Sequence, residues 1–178
     1  MAAAAPSPES FVRRLAASCI GSTFNFYRDG ERASLLRARL VAYLHARAGA
    51  DLLLVGEAPG FRGARISGLP FTSERQLTGA GPAEATATVV RRVLGELGLE
   101  HRVLLWNVVP THPGDAGSNR RPNRTEVEQG LPFALELAAT RTVVPVGRVA
   151  HAVLGGRYLR HPSHGGAAAF RAGLECIG

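Results

Sequence analysis

Three short stretches of this chain end an apolar run on a polar side chain, and together they offer a carboxylate, an amide and an imidazole. In the first, residues 52–55 are continuously apolar and break at once into Gly56, Glu57, Ala58, Pro59 and Gly60. A sharp turn at the carboxyl end of a buried strand is where open α/β sheets place ligand chemistry. Glu57 either acts on a ligand there or only orders a Pro-Gly turn. In the second, residues 102–106 stop at Asn107, which either faces a ligand or caps the turn that ends its strand. In the third, residues 158–160 run into His161, Pro162, Ser163, His164, Gly165 and Gly166.

Composition narrows the chemistry. With 21 basic against 14 acidic residues the net charge is +7 and the sequence pI about 10.9, which favours a polyanionic partner, nucleic acid above all. Every basic side chain is arginine. Without lysine there is no amine for a Schiff base, a P-loop or a pyridoxal phosphate site, so those enzyme classes are excluded. No G-x-G-x-x-G follows a strand, and the H-x-E with P-C-x-x-C of zinc deaminases is missing. Cys19 and Cys176 stand far apart in the chain and supply neither a disulfide framework nor a four-cysteine metal site. No run approaches the roughly 20 apolar residues that span a bilayer. Residues 1–8, MAAAAPSP, read as a disordered leader rather than a signal peptide, which points to a cytoplasmic protein with no membrane partner. At 178 residues and 46% apolar content, residues 9–178 are expected to form one domain.

The elements that must position the three stretches follow from hydrophobic spacing. Residues 9–18 and 31–48 are expected to be helices, the second through Leu35, Leu36, Leu40, Val41 and Leu44. Between them, Phe24, Phe26 and Tyr27 are either core or a surface cluster, and core is favoured. Residues 84–98 form a further amphipathic helix. Residues 108–124 are rich in Pro, Gly and Arg and read as a surface loop, after which Thr125, with Glu128 three residues on, is expected to cap a helix reaching about Ala139. A third strand over 142–146, a short helix over 148–154, a fourth strand over 158–160 and a last helix over 167–174 complete the chain. Strands alternating with helices imply an α/β single-domain three-layer sandwich, with a central four-stranded parallel sheet flanked by helices. Its strand ends would bring Glu57, Asn107 and His161 to one edge.

Taken together, GEAPG, Asn107 with the VVP that follows it, and His161-Pro162-Ser163 resemble the uracil-DNA glycosylase superfamily, in order and over residues 51–174. The first motif and the loop after Asn107 are most similar to its thermostable bacterial and archaeal branch. The resemblance implies a monofunctional enzyme that flips uracil, or another deaminated base, out of DNA and hydrolyses its N-glycosidic bond in base excision repair. It implies that Gly56, Ala58 and Gly60 line the base pocket, that Phe71 stacks on the base or else is core, and that Asn107 pairs with the O4 and N3 edge of uracil. His161 would stabilise negative charge developing at uracil O2. Ser163 and the backbone around Gly165 and Gly166 would bind phosphate. Arg62, Arg65, Arg120, Arg121, Arg124 and Arg171 are candidates for the DNA channel, and His164 or a residue of the arginine loops for the gap left by the flipped base.

The chain also departs from that pattern. Ala58 stands where the best-known members carry the aspartate that orients water, so the resemblance moves that role to Glu57. The alternative is a non-catalytic or sugar-trapping binder of uracil-containing or abasic DNA. Thr111 and Gly130 stand where two cluster cysteines are expected, and two cysteines cannot hold a four-cysteine iron-sulfur cluster. The expected protein therefore needs no cofactor or metal, holds its second loop by packing, prolines and Arg-carboxylate pairs, and acts as a monomer. Gly60 replaces a tyrosine that blocks the thymine methyl in some members, and Phe61 is the candidate substitute.

Overall fold

The computed structural model describes residues 7–177. In chain order the elements are α1 (Pro8–Ala17), α2 (Ala33–Ala46), β1 (Leu52–Gly56), α3 (Ala64–Ser67), α4 (Glu74–Thr78), α5 (Ala85–Glu96), β2 (Val103–Asn107), α6 (Arg124–Ala138), β3 (Thr142–Pro145), α7 (Arg148–Leu154) and α8 (Ala167–Glu175). Residues 1–6 of the expected leader lie outside the described residues. Its last two residues do not belong to a leader, because the Ser7 hydroxyl caps α1 and Pro8 opens that helix.

The sheet has three strands in the order β2-β1-β3, with β1 paired in parallel to both neighbours. Every residue of β1 and β2 is buried, as expected for parallel strands whose faces are covered by other elements. The register sets Gly56 opposite Asn107, so the carboxyl ends of β1 and β2 finish level. On the open side of β2 the Leu105 amide donates to the Tyr43 hydroxyl at 2.8 Å, so α2 satisfies a donor that an uncovered edge would leave unpaired.

The expected fourth strand is reduced to one parallel bridge between Val146 and Leu159. Leu159 donates to Pro145 and accepts from Gly147, but Gly155 and Gly156 take positive φ just before it and Pro162 follows. Too few residues remain to extend the ladder, yet the bridge delivers His161 to the same edge of the sheet. The cap of α6 also differs from expectation. Asn123, not Thr125, is the N-cap, with its Oδ1 accepting from the Glu126 amide and its own amide donating to Glu126 Oε2, each at 2.9 Å. Both Asn123–Glu126 and Thr125–Glu128 have capping-box spacing. The first pair is used because Glu126 is buried against Arg120, whereas Glu128 pairs with Arg124 at the surface.

Phe26 and Tyr27 are core, and Tyr27 donates to the Gly68 carbonyl at 2.8 Å. Phe24 packs against the core from a partly buried position under the Arg65 guanidinium. Its backbone bridges His112 and so ties the segment after α1 to the loop after β2. That loop is clamped further by Glu126, which has no exposed surface and accepts from Arg120 at 2.6 and 2.8 Å, from the Ser22 amide and hydroxyl, and from the Asn123 amide. The Arg120 guanidinium, first among these, holds the Glu126 carboxyl down at about 2, from an ordinary 4.5. A carboxyl whose folded-state pKa is depressed contributes stability above its unfolded value and loses it as pH falls through the folded one. Thermal unfolding followed from neutral pH downward is therefore expected to show a fall in Tm between about 4.5 and about 2. Glu126→Ala, which strands Arg120 and three other donors, is expected to cost roughly 2 kcal/mol at neutral pH and to flatten that fall; an unchanged acid limb would contradict the clamp.

Candidate active site

A cleft of about 290 Å³ opens at the carboxyl edge of the sheet and is lined by Glu57, Phe71, Asn107, His161 and Ser163, together with Ala58 and Gly60. Gly56, expected to line the pocket, is instead buried and lies outside the cleft lining, where it lets two lining residues meet. A methyl group there would overlap the Phe71 ring and lie 2.9 Å from Asn107 Oδ1, so only glycine lets the aromatic ring and the amide approach each other over the end of β1. Phe71 is held at φ +48°, a region that non-glycine residues rarely adopt. It is locked from behind: the Ser67 hydroxyl donates to the Thr72 carbonyl at 2.6 Å, and Arg91 donates to the Thr72 hydroxyl.

Asn107 is 4% exposed, and its side-chain amide has no hydrogen-bond partner among the described residues, which leaves both its donor and its acceptor for a ligand. His161 is set in one tautomer by its neighbours. Its Nδ1 accepts from the Ser163 amide at 3.2 Å and lies 2.7 Å from the Ser163 hydroxyl, so a neutral ring carries its proton on Nε2. Burial, then the positive charges of Arg160 and His164, push the His161 pKa below its ordinary value, which keeps the ring neutral to lower pH. Glu57 is half-buried. Burial pushes its carboxyl above the ordinary range, and the charge of Arg121 partly opposes this.

The cleft also contains residues that the sequence did not single out: Glu84, Thr86 and Asn119. Asn119 accepts from the Phe61 amide at 2.9 Å and so joins the loop after β1 to the loop after β2. His112 joins them again. It is fully buried, with Nδ1 2.8 Å from the Pro59 carbonyl oxygen and Nε2 2.9 and 3.1 Å from those of Asp115 and Ser118. Nothing in the spacing of His112 or Asn119 marks them, because their partners are backbone groups distant in sequence.

Several expected DNA contacts are engaged within the protein. Arg120 lines the cleft, but its guanidinium is held by Glu126 and Ser22. Arg171 is held by Glu96 and Glu175, and Arg65 is stacked over Phe24 with a buried Nε. Arg124 pairs with Glu128 yet stays almost wholly exposed. Arg62 and Arg121 are exposed, Arg62 lying over the Phe61 ring. The Gly166 amide donates to the Ser163 carbonyl and so is not available to a phosphate. His164 and Gly165 lie exposed at the rim, both at positive φ.

The positions expected for cluster ligands do not fit an iron-sulfur cluster. The buried Thr111 hydroxyl hydrogen-bonds with Thr23, and a methyl group on Gly130 would lie 2.6 Å from the Val108 carbonyl oxygen, so α6 and the second loop meet backbone to backbone. Cys19 and Cys176 are exposed. Among the described residues no group of three or more His, Cys, Asp or Glu could hold a metal ion, and no helix is long and apolar enough to cross a membrane.

Comparison with known proteins gives a family and a fold. The family described as the uracil DNA glycosylase superfamily matches residues 44–173. Among solved structures, the fold is similar to the crystal structure of wild-type Pedobacter heparinus SMUG2, with a TM-score of 0.65 and 13% identity over 96% of this chain and 97% of that one. No curated protein sequence matches the chain. The geometry itself makes a testable demand at Gly56. Gly56→Ala is expected to cost about 1–3 kcal/mol in thermal or urea unfolding, whereas Gly49→Ala, where an added methyl meets nothing within 4 Å, is expected to be neutral. Equal effects at the two positions would contradict the close approach of Phe71 and Asn107.

Proposed function

Because the chain belongs to the uracil DNA glycosylase superfamily, we propose that it is a monofunctional DNA glycosylase, which flips uracil or a related deaminated base into the cleft and releases it by hydrolysis. The observation that carries this reading is the meeting of Asn107, His161, Phe71 and Glu57 in one cleft, with the His161 tautomer set by Ser163.

In this reading the base enters against the Phe71 ring, which is held in place from behind and offers its face or edge without reorganisation. The Asn107 amide accepts from uracil N3–H and donates to O4. Cytosine presents the reverse pattern at that edge and would leave a buried amide unpaired, a strong basis for rejection. His161 Nε2–H donates to O2, where negative charge gathers as the base departs, and the depressed pKa suits a neutral donor fixed before the reaction begins. Glu57, as a carboxylate, orients the attacking water or stabilises the cationic sugar. The reaction stops at an abasic site, since no lysine amine is present to form a Schiff base. The exposed Arg62 and Arg121, with Ser163 and Gly165, are the groups we assign to the DNA backbone. With DNA carrying a deaminated base as substrate, the proposed role is base excision repair in the cytoplasm, by a monomer whose single domain includes α1 with its Ser7 cap.

Single-turnover excision from oligonucleotides with one uracil tests these roles. Asn107→Ala and His161→Ala are each expected to lower the rate about 10²–10³-fold, and Glu57→Gln by at least about 10²-fold. Because burial raises the Glu57 carboxyl and the carboxylate is the active form, the wild-type rate is expected to fall toward acid with an inflection above 4.5, and Glu57→Gln to lose that inflection. Wild-type rates in all three variants would overturn the assignment.

A further inference from the structure

Glu84 precedes α5 at its N-cap position, yet its side chain makes no capping hydrogen bond. It reaches over the loop after β1 instead. A methyl group on Gly60 would overlap Glu84 Oε1 and one on Gly63 would overlap Oε2, so the carboxyl rests in a hollow that exists because both residues are glycine. From there it lines the same cleft as Asn107 and His161.

The carboxyl has no hydrogen-bond or ion-pair partner among the described residues. It shares this with Glu57 in the same cleft, whereas Glu74, Glu126 and Glu136 are all clasped by guanidinium groups. Burial raises its pKa, and no neighbouring cation acts against the shift. A half-buried acid kept without a partner, on the wall of a cleft, has its partner in what enters the cleft. DNA phosphates are excluded by like charge, which leaves the flipped nucleoside, and a methyl group or second ring brought against this carboxyl would strip its remaining water.

We propose that Glu84 is a specificity-determining residue: its carboxyl forms the wall beside the C5–C6 edge of the flipped base, the edge that Asn107 and His161 leave uncontacted, and limits the size of what that edge can carry. This rests on the glycosylase reading above. A wall of this kind selects for a compact base such as uracil over bases with an added methyl group or a second ring. Discrimination of one methyl group by a fitted wall is worth roughly 10–200-fold.

The test compares wild type, Glu84→Gln and Glu84→Ala on duplexes holding uracil, thymine opposite guanine, or hypoxanthine, with thermal melting as a control for folding. Excision rates are read alongside equilibrium binding to the same duplexes carrying 2′-fluoro sugars that resist cleavage. Glu84→Ala is expected to raise excision or retention of thymine and hypoxanthine relative to uracil about tenfold or more. Glu84→Gln, which keeps the shape, is expected to hold the ratio near wild type. If wild type acts on uracil and both variants keep its ratios within about twofold, the carboxyl is only a structural neighbour of Gly60 and the inference is overturned. If wild type neither cleaves nor retains uracil-containing DNA over undamaged DNA, the glycosylase reading itself fails, and the wall with it.

Discussion

The constraint on which the rest of this molecule depends is the parallel register of β1 with its two neighbours. Parallel strands point their carboxyl ends one way, and the pairing of Gly56 with Asn107 brings two sequence-distant polar turns level at one edge. The ladder continues past the strands themselves, with the Val108 amide donating to Gly56 and the Val109 amide to Glu57. The position of Glu57 relative to Asn107 is thus fixed by backbone hydrogen bonds rather than by side-chain packing. β3 needs only one further bridge, at Leu159, to bring His161 alongside. A site built on strand ends in this way has its geometry set before any ligand arrives, which is the condition for electrostatic stabilisation to act on a reaction.

A second layer of interactions keeps the loops around that edge in place. The loop after β2 carries many polar and basic residues and would be mobile if left alone. Here it is pinned by the buried Glu126 carboxylate through Arg120, by His112 against three carbonyl groups and by Asn119 to Phe61. The arginines thus divide into two kinds. Arg120, Arg171 and Arg65 are engaged with partners inside the protein, and Arg62 and Arg121 remain exposed. Net charge alone could not separate them, because pairing with carboxylates is decided by the fold.

Much of the site was legible from the sequence for a specific reason. Glu57 and Asn107 end apolar runs, and runs that short and that apolar become buried parallel strands, so the ends could be placed on one edge without coordinates. His161 reached that edge even though the strand expected before it shrank to one bridge. The less legible parts depend on contacts distant along the chain. Glu84 reads as a helix start and was not marked for the cleft, because the hollow that receives it comes from Gly60 and Gly63. The α6 cap was misplaced because two capping boxes overlap, and burial of Glu126, which spacing does not reveal, chooses between them. No hydrophobic spacing marks the short helices α3 and α4, yet α3 belongs to the site as much as the strands do, because its Ser67 hydroxyl donates to the Thr72 carbonyl just behind the strained Phe71.

The most direct test of the central claim is to run the reaction on a single-uracil oligonucleotide in water enriched in heavy oxygen and to weigh both the DNA and the protein by intact mass spectrometry. Hydrolysis at this cleft predicts free uracil, a protein of unchanged mass, and an abasic strand that carries one heavy oxygen atom at the sugar. An oligonucleotide of unchanged mass, or a protein that gains the mass of the DNA, would contradict it.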